Sequence, residues 1–206
     1  MNNKAEQLNK DPGYSLIEKA YATALQKFPN IKKEEISLNV VFDSLGKDFI
    51  LGIVVNSPSE SIKYGVKARI LAGLQFFLFK DREMEAGIAH ELGHYEHAMK
   101  SYNDNRILRM KRFFEQTAKY AMPNLSTSIK LLFNKKHKHR WKRLQKWYIM
   151  KEMYADNKAF EAGYGAYVLA DLKVLMPFLY SQKGTSELTF KETEARIKNL
   201  EEKLGI

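Results

Sequence analysis

The chain has no cysteine in its 206 residues. This excludes disulfide frameworks and cysteine-ligated zinc, so any metal centre must be built from histidine and carboxylate. It also suits a reducing compartment. Long apolar runs are missing too. The longest, Phe49 to Val55 and the interrupted stretch Ile70 to Phe79, fall far short of the roughly 20 residues needed to cross a bilayer. The N-terminal stretch MNNKAEQLNKDPGYS has no apolar core of the kind a secretory signal requires. The expectation is a cytoplasmic protein without a transmembrane segment, at most peripheral to a membrane.

What is present is ordinary globular composition, 45% hydrophobic and 28% charged, which argues against disorder. The length fits a single domain over residues 1–206 with a real core. The net charge of +10 is unevenly placed: residues 100–151 hold 15 Lys or Arg against 2 Asp or Glu, and the rest of the chain is slightly acidic. Any electrostatic partner should therefore meet that segment.

Hydrophobic periodicity gives the coarse layout. Ile17, Tyr21, Leu25 and Phe28 recur at helical spacing, so residues 15–28 read as an amphipathic helix ended by Pro29. Ile36, Leu38, Val40 and Phe42 alternate as on a half-buried strand, and a turn around Gly46 leads to a second strand, Phe49 to Val55. The two read as a hairpin. Ser57 to Ser61 reads as a polar loop, and Lys67 to Ala72 as a third strand. A long helix from about Arg82 to Met99 follows, with Met84, Ile88, Leu92, Tyr95 and Met99 on one face. The basic stretch at about 100–151, broken near Pro123 and Asn124, reads as a helical insertion. A helix from about His139 to Ala162 carries Ala155, Ala159 and Ala162 as a small-residue face. Gly163 ends it, another helix runs to about Leu175 ahead of Pro177, and a last charged helix covers 191–204. The pattern predicts an α+β fold: a small twisted sheet of three or four strands packed on the Arg82–Met99 helix, with further helices as a second layer. The third strand is expected to offer an edge to an extended peptide.

Residues 90–94 read His-Glu-Leu-Gly-His. On a helix, residues four apart share a face about 6 Å apart along the axis, so the two imidazoles can converge on one zinc ion. Glu91 is offset by about 100°. From there it reaches the water on the metal without occupying the metal, as a general base requires. The flanking Ile88, Ala89, Leu92 and Gly93 mark a buried helix. Gly93 costs about 1 kcal/mol against alanine, which is easier to explain if another backbone crowds that point. A catalytic zinc needs a third protein ligand. His97 lies on the same helix and reads as a rim residue. His137 and His139 lie in a Lys/Arg run. Glu152 lies mid-helix with Ala155 and Ala159 allowing close approach, and Asp156, one turn on, is placed to accept the free N–H of a ligand histidine. A Glu152/Asp156 ion-pair set with neighbouring lysines is the structural alternative.

The stretches Ile70-Leu-Ala-Gly-Leu, DREMEAGIAHELGHY (Asp81 to Tyr95), EMYADNKAFEAGYGAYVLADLKVL (Glu152 to Leu175) and Glu194-Ala-Arg-Ile-Lys-Asn-Leu resemble those of the CAAX prenyl protease/HtpX-like zinc peptidases, above all their small soluble members, the minigluzincins. The resemblance covers roughly residues 67–99 and 150–202, somewhat under half the chain. It implies a zincin-like fold, one Zn2+ held by His90, His94 and Glu152, Glu91 as the base, and hydrolysis of a peptide or protein substrate. Two departures stand out. Phe190 and Lys191 occupy the place of a family His-Pro, which leaves oxyanion stabilisation unassigned, with Arg196 and Tyr154 as candidates. Where relatives insert membrane-spanning helices, this chain has the basic stretch. Its mixture of Lys/Arg with Phe113, Phe114, Tyr120, Phe133, Trp141, Trp147 and Tyr148 suits peripheral contact with an anionic membrane. The competing reading is a basic binder of nucleic acid or anionic membrane on a peptidase scaffold, nucleic acid being the less favoured partner. A pure binder has no need of Glu91.

Overall fold

A computed structural model describes residues 12–41, 50–104, 135–181 and 187–206. Helix α1 (Pro12–Leu25) comes first, then strands β1 (Ile36–Val41) and β2 (Leu51–Val55), helix α2 (Pro58–Tyr64) and strand β3 (Ala68–Gly73). Four longer helices follow: α3 (Asp81–Asp104), α4 (Lys135–Glu161), α5 (Gly165–Ser181) and α6 (Glu187–Leu204). The fold is α+β, with a three-stranded mixed sheet and helices packed against it.

The strand order is β1-β3-β2. β3 pairs parallel with β1, Leu38 opposite Ile70, and antiparallel with β2, Ile53 opposite Ile70. The expected β1–β2 hairpin is therefore wrong: β3 lies between the two strands. The turn expected around Gly46 falls outside the described residues. Burial matches the central place of β3: its Ala68, Ile70 and Ala72 are fully buried, while β2 is half-buried throughout. It follows that β3 has no free edge for a peptide. Among the described residues the edges are β1 and β2.

Two other local expectations change. Ser57 to Ser61 belongs to α2 and is not a loop. Ser57 caps the helix, accepting from the Glu60 N–H, while its own N–H donates to the Glu60 carboxylate at 2.8 Å. Pro58 fits the first helical turn, and Gly65 at φ +69° ends the helix. Pro177, expected to lie beyond a helix, sits inside α5. It has no N–H to donate to the preceding turn, but at an exposed position near the helix end this lost bond does not stop the helix.

The core is one cluster in which Ile17 and Tyr21 of α1, Ile70 of β3, Ile88 and Leu92 of α3, Tyr164 and Leu200 meet. The predicted apolar face of α3 is the buried one: Met84, Ile88, Leu92 and Tyr95 are each at most 2% exposed. Two tyrosines carry polar ties across this core. The Tyr21 hydroxyl donates to the Ile36 carbonyl at 3.0 Å. The Tyr95 hydroxyl donates to Glu35 at 2.8 Å, beside the Lys67 ammonium at 2.7 Å. Among the described residues no helix is long and apolar enough to cross a membrane. Phe113, Phe114, Tyr120 and Phe133, the expected break near Pro123 and the side chain of Trp141 lie outside the described parts. Trp147 and Tyr148 are half-buried and Met150 is exposed.

Glu35 links the site-bearing helix to the start of β1, and its charge state sets a pH dependence. Burial opposes its ionisation, but the hydrogen bonds from Lys67 and Tyr95 outweigh it and hold the carboxyl below its ordinary value. A depressed carboxylate stabilises the fold above its unfolded pKa of about 4.3, and that stability is lost as pH falls through the folded value. Tyr95→Phe should cost about 1 kcal/mol at pH 7. The deficit should shrink only at a pH below the depressed folded value, under the ordinary carboxylate range, where wild type also loses the charged acceptor. Urea titrations of both proteins at the two pH values measure this.

Candidate metal centre

The site is built where α3 and α4 cross. At Gly93 an added Cβ would lie 2.8 Å from Ala155 Cα and 2.9 Å from the Ala155 carbonyl oxygen, both backbone atoms of α4. Only glycine allows this approach. Ala155 and Ala159 are fully buried, and their small side chains let α4 lie against α3. Glu152 and Asp156 stand one helical turn apart on the face so brought up. The crowding inferred from Gly93 in the sequence is thus the α4 backbone.

Among the described residues, His90, His94 and Glu152 form a group able to hold a metal ion, with one ligand atom from each lying within 4.8 Å of the others. Glu152 Oε2 is 3.4 Å from His90 Nε2 and 3.2 Å from His94 Nε2. Ligands on a tetrahedral zinc, with bonds of about 2.0–2.1 Å, stand about 3.3 Å from one another, and the two separations from Glu152 match that figure. His94 and Glu152 are buried, while the His90 side chain keeps 15% of its surface exposed. Among the described residues, the buried Nδ1 atoms of His90 and His94 both lack a hydrogen-bond partner.

Behind His90, its Nδ1 lies 2.9 Å from Asp156 Oδ1. This contact turns Nε2 toward Glu152. Asp156 has no exposed side-chain surface, and a buried charge needs partners. Arg196 of α6 supplies them with a two-pronged contact: Nε donates to Oδ2 at 2.7 Å and the second prong to Oδ1 at 2.9 Å. The same guanidinium is 3.7 Å from Glu152 and 3.5 Å from Glu192.

These contacts divide the protonation states. Burial works against charge on His90, but the carboxylates of Asp156 and Glu152 beside it carry its pKa up to about 9. Burial takes His94 down to about 4, against the pull of Glu152. For Glu152, burial is outweighed by the two imidazoles, and its carboxyl is held far below the ordinary range. Asp156 is likewise held down, against burial, by His90 and Arg196. Glu91 moves the other way: burial raises its pKa, with His90 opposing.

The remaining sequence candidates are placed as follows. Arg196 is turned inward onto Asp156 and Glu152. The Tyr154 hydroxyl accepts from Lys100 at 2.9 Å, and its ring stacks 4.9 Å from His97. Tyr154 and His97 thus sit together at the rim, outside the three-residue group. The side chains of His137 and His139 lie outside the described residues. Glu192 was not singled out from the sequence. Its signal is the i, i+4 spacing to Arg196 on a charged helix. No family model, curated protein or solved structure matches the chain.

Two substitutions test this geometry. Gly93→Ala should force α3 and α4 apart and move Glu152 off the histidines. Its cost from overpacking is about 1–3 kcal/mol in stability, with a matching loss of zinc affinity, read by thermal melts and competition with a chelating dye. Asp156→Asn should weaken zinc binding by about 10- to 100-fold in the same competition assay. An unchanged affinity would remove Asp156 from support of the centre.

Proposed function

We propose that the protein is a zinc-dependent endopeptidase of the gluzincin type, with a zincin-like catalytic domain related to the HtpX-like peptidases it resembles. The observation that carries this reading is the convergence of His90, His94 and Glu152 on one point, with Glu91 beside it on the same helix. Zinc held by these three side chains would lower the pKa of a bound water to roughly 7 and polarise the scissile carbonyl.

Glu91 takes the proton from the attacking water and returns it to the leaving amine. Its burial fits this role, because a carboxylate raised above its ordinary pKa is a stronger base. Asp156 keeps His90 oriented, and Arg196 keeps Asp156 charged and in place. With Arg196 engaged by Asp156 and Tyr154 by Lys100, the donor that stabilises the oxyanion is unassigned among side chains. The substrate is a peptide or protein segment lying extended along the free edge of β2, since β3 has no edge to offer. Peripheral contact of residues 100–151 with an anionic membrane belongs to the same proposal, on the ground of composition.

Glu91→Gln tests the chemistry. An amide cannot take the proton, so the variant should keep its fold and its zinc and lose peptide hydrolysis by about 100-fold or more. The assay is cleavage of an unbiased peptide library by the purified zinc-loaded protein, with metal content measured in parallel. Cleavage by the variant at the wild-type rate would sink the assignment of Glu91 as the base.

A further inference from the structure

An arginine carries its N–H donors in a fixed planar fork, and Asp156 engages one side of the fork of Arg196. Nε donates to Asp156 Oδ2 at 2.7 Å and Nη2 donates to Oδ1 at 2.9 Å. The remaining nitrogen, Nη1, is within ion-pair distance of two other carboxylates: Glu152 Oε2 at 3.7 Å and Glu192 Oε1 at 3.5 Å. Glu152 Oε2 is also the oxygen that stands 3.4 Å from His90 Nε2 and 3.2 Å from His94 Nε2. It is therefore the atom offered to a metal ion.

Two carboxylates thus contend for one nitrogen in a place that water barely reaches. The side chain of Arg196 is 13% exposed, and those of Glu152 and Glu192 are each 11% exposed. Charge-assisted N–H···O bonds settle at about 2.7–2.9 Å, and Nη1 makes a contact of that length with neither glutamate. Glu192 has an advantage of position. It lies one turn before Arg196 on α6, so its pull is built into the spacing of one helix. Glu152 belongs to α4 and meets the guanidinium only through the packing of α6 on α4.

We propose that Glu192 is a positioning residue for the metal centre: it holds Nη1 of Arg196 short of Glu152, so that Oε2 stays available to the ion while Asp156 keeps the other side of the guanidinium. A buried guanidinium needs a counter-charge. If Glu192 is neutralised, the other carboxylate within ion-pair distance of Nη1 among the described residues is Glu152. Nη1 then closes on Oε2 and competes with the metal for it. The inference rests on the metal-binding part of the reading above and not on peptide hydrolysis.

Zinc affinity and the stability of the zinc-free protein, both measured on the full-length chain, test it together. Glu192→Gln keeps the volume and removes the charge. Competition with a chelating dye should show zinc held about tenfold more weakly, the low end of what outer partners of a metal ligand cost. The melting temperature of the zinc-free variant should stay within about 2 °C of wild type, because Arg196 exchanges one partner for another. A merely structural Glu192 would lower the melting temperature and the affinity together. In an Arg196→Lys background, where Nη1 is gone, Glu192→Gln should add no further loss of affinity, since it acts through the arginine. Wild-type affinity in the Glu192→Gln protein, a melting temperature that falls along with the affinity, or a tenfold loss that persists in the Arg196→Lys background would each overturn the proposal. A wild-type protein that binds no zinc loses the metal centre, and this proposal with it. One that binds zinc and shows both effects but cleaves nothing in the peptide library loses the peptidase reading and keeps the role of Glu192.

Discussion

The close crossing of α3 and α4 at Gly93 and Ala155 is the contact on which the rest of the site depends. α3 brings two histidines and the proposed base at fixed helical spacing, but these make only part of a metal centre. The third ligand comes from about 60 residues further along the chain and reaches the histidines only because the two helix backbones nearly touch, with no side chain at position 93 and a methyl at 155. Gly93 weakens α3 by about 1 kcal/mol relative to alanine. That local cost is offset by the burial of Leu92, Ala155 and Ala159 along the same seam.

From this crossing a chain of charges runs outward through the protein. Glu152 faces both imidazoles, Asp156 backs His90, and Arg196 clasps Asp156 while reaching toward Glu152 and Glu192. Each group is buried or nearly so, and each depends on the next to stay charged. Removing one partner from such a network strands the other, at about 3–5 kcal/mol for a buried pair. Helix α6 is therefore tied to the three-residue group: through Arg196 it holds Asp156 charged, and Asp156 backs His90. The sheet packs on the same helix as the histidines, where Leu51 of β2 lies against Gly87 of α3.

Several features were legible in the sequence because their causes are local. The apolar face of α3 follows from the spacing of Met84, Ile88, Leu92 and Tyr95, and the structure buries that face. The capping box at Ser57 and Glu60 was equally legible, but the polar run Ser-Pro-Ser-Glu-Ser was read as a loop when its spacing and the Pro at the first helical position spell a helix start. Pro177 misled in the other direction: proline ends helices on average, and at an exposed position near a helix end it need not. The β1–β2 hairpin failed for a different reason. Alternation marks a strand without naming its neighbour, and β3, whose Ala68, Ile70 and Ala72 are fully buried, took the central place.

By itself, the sequence determined which side chains could hold a metal and that the two histidines share a helix face, since both follow from residue identity and the pitch of a helix. It also marked Glu152 and Asp156 as a pair one turn apart. What only the tertiary structure decided is how these parts meet: that α4 lies against Gly93, that Arg196 turns inward to Asp156, and that Leu51 of β2 lies against Gly87 of α3. Those meetings join segments far apart in the chain, and they are set by competition for burial among all the elements at once, which no local pattern encodes.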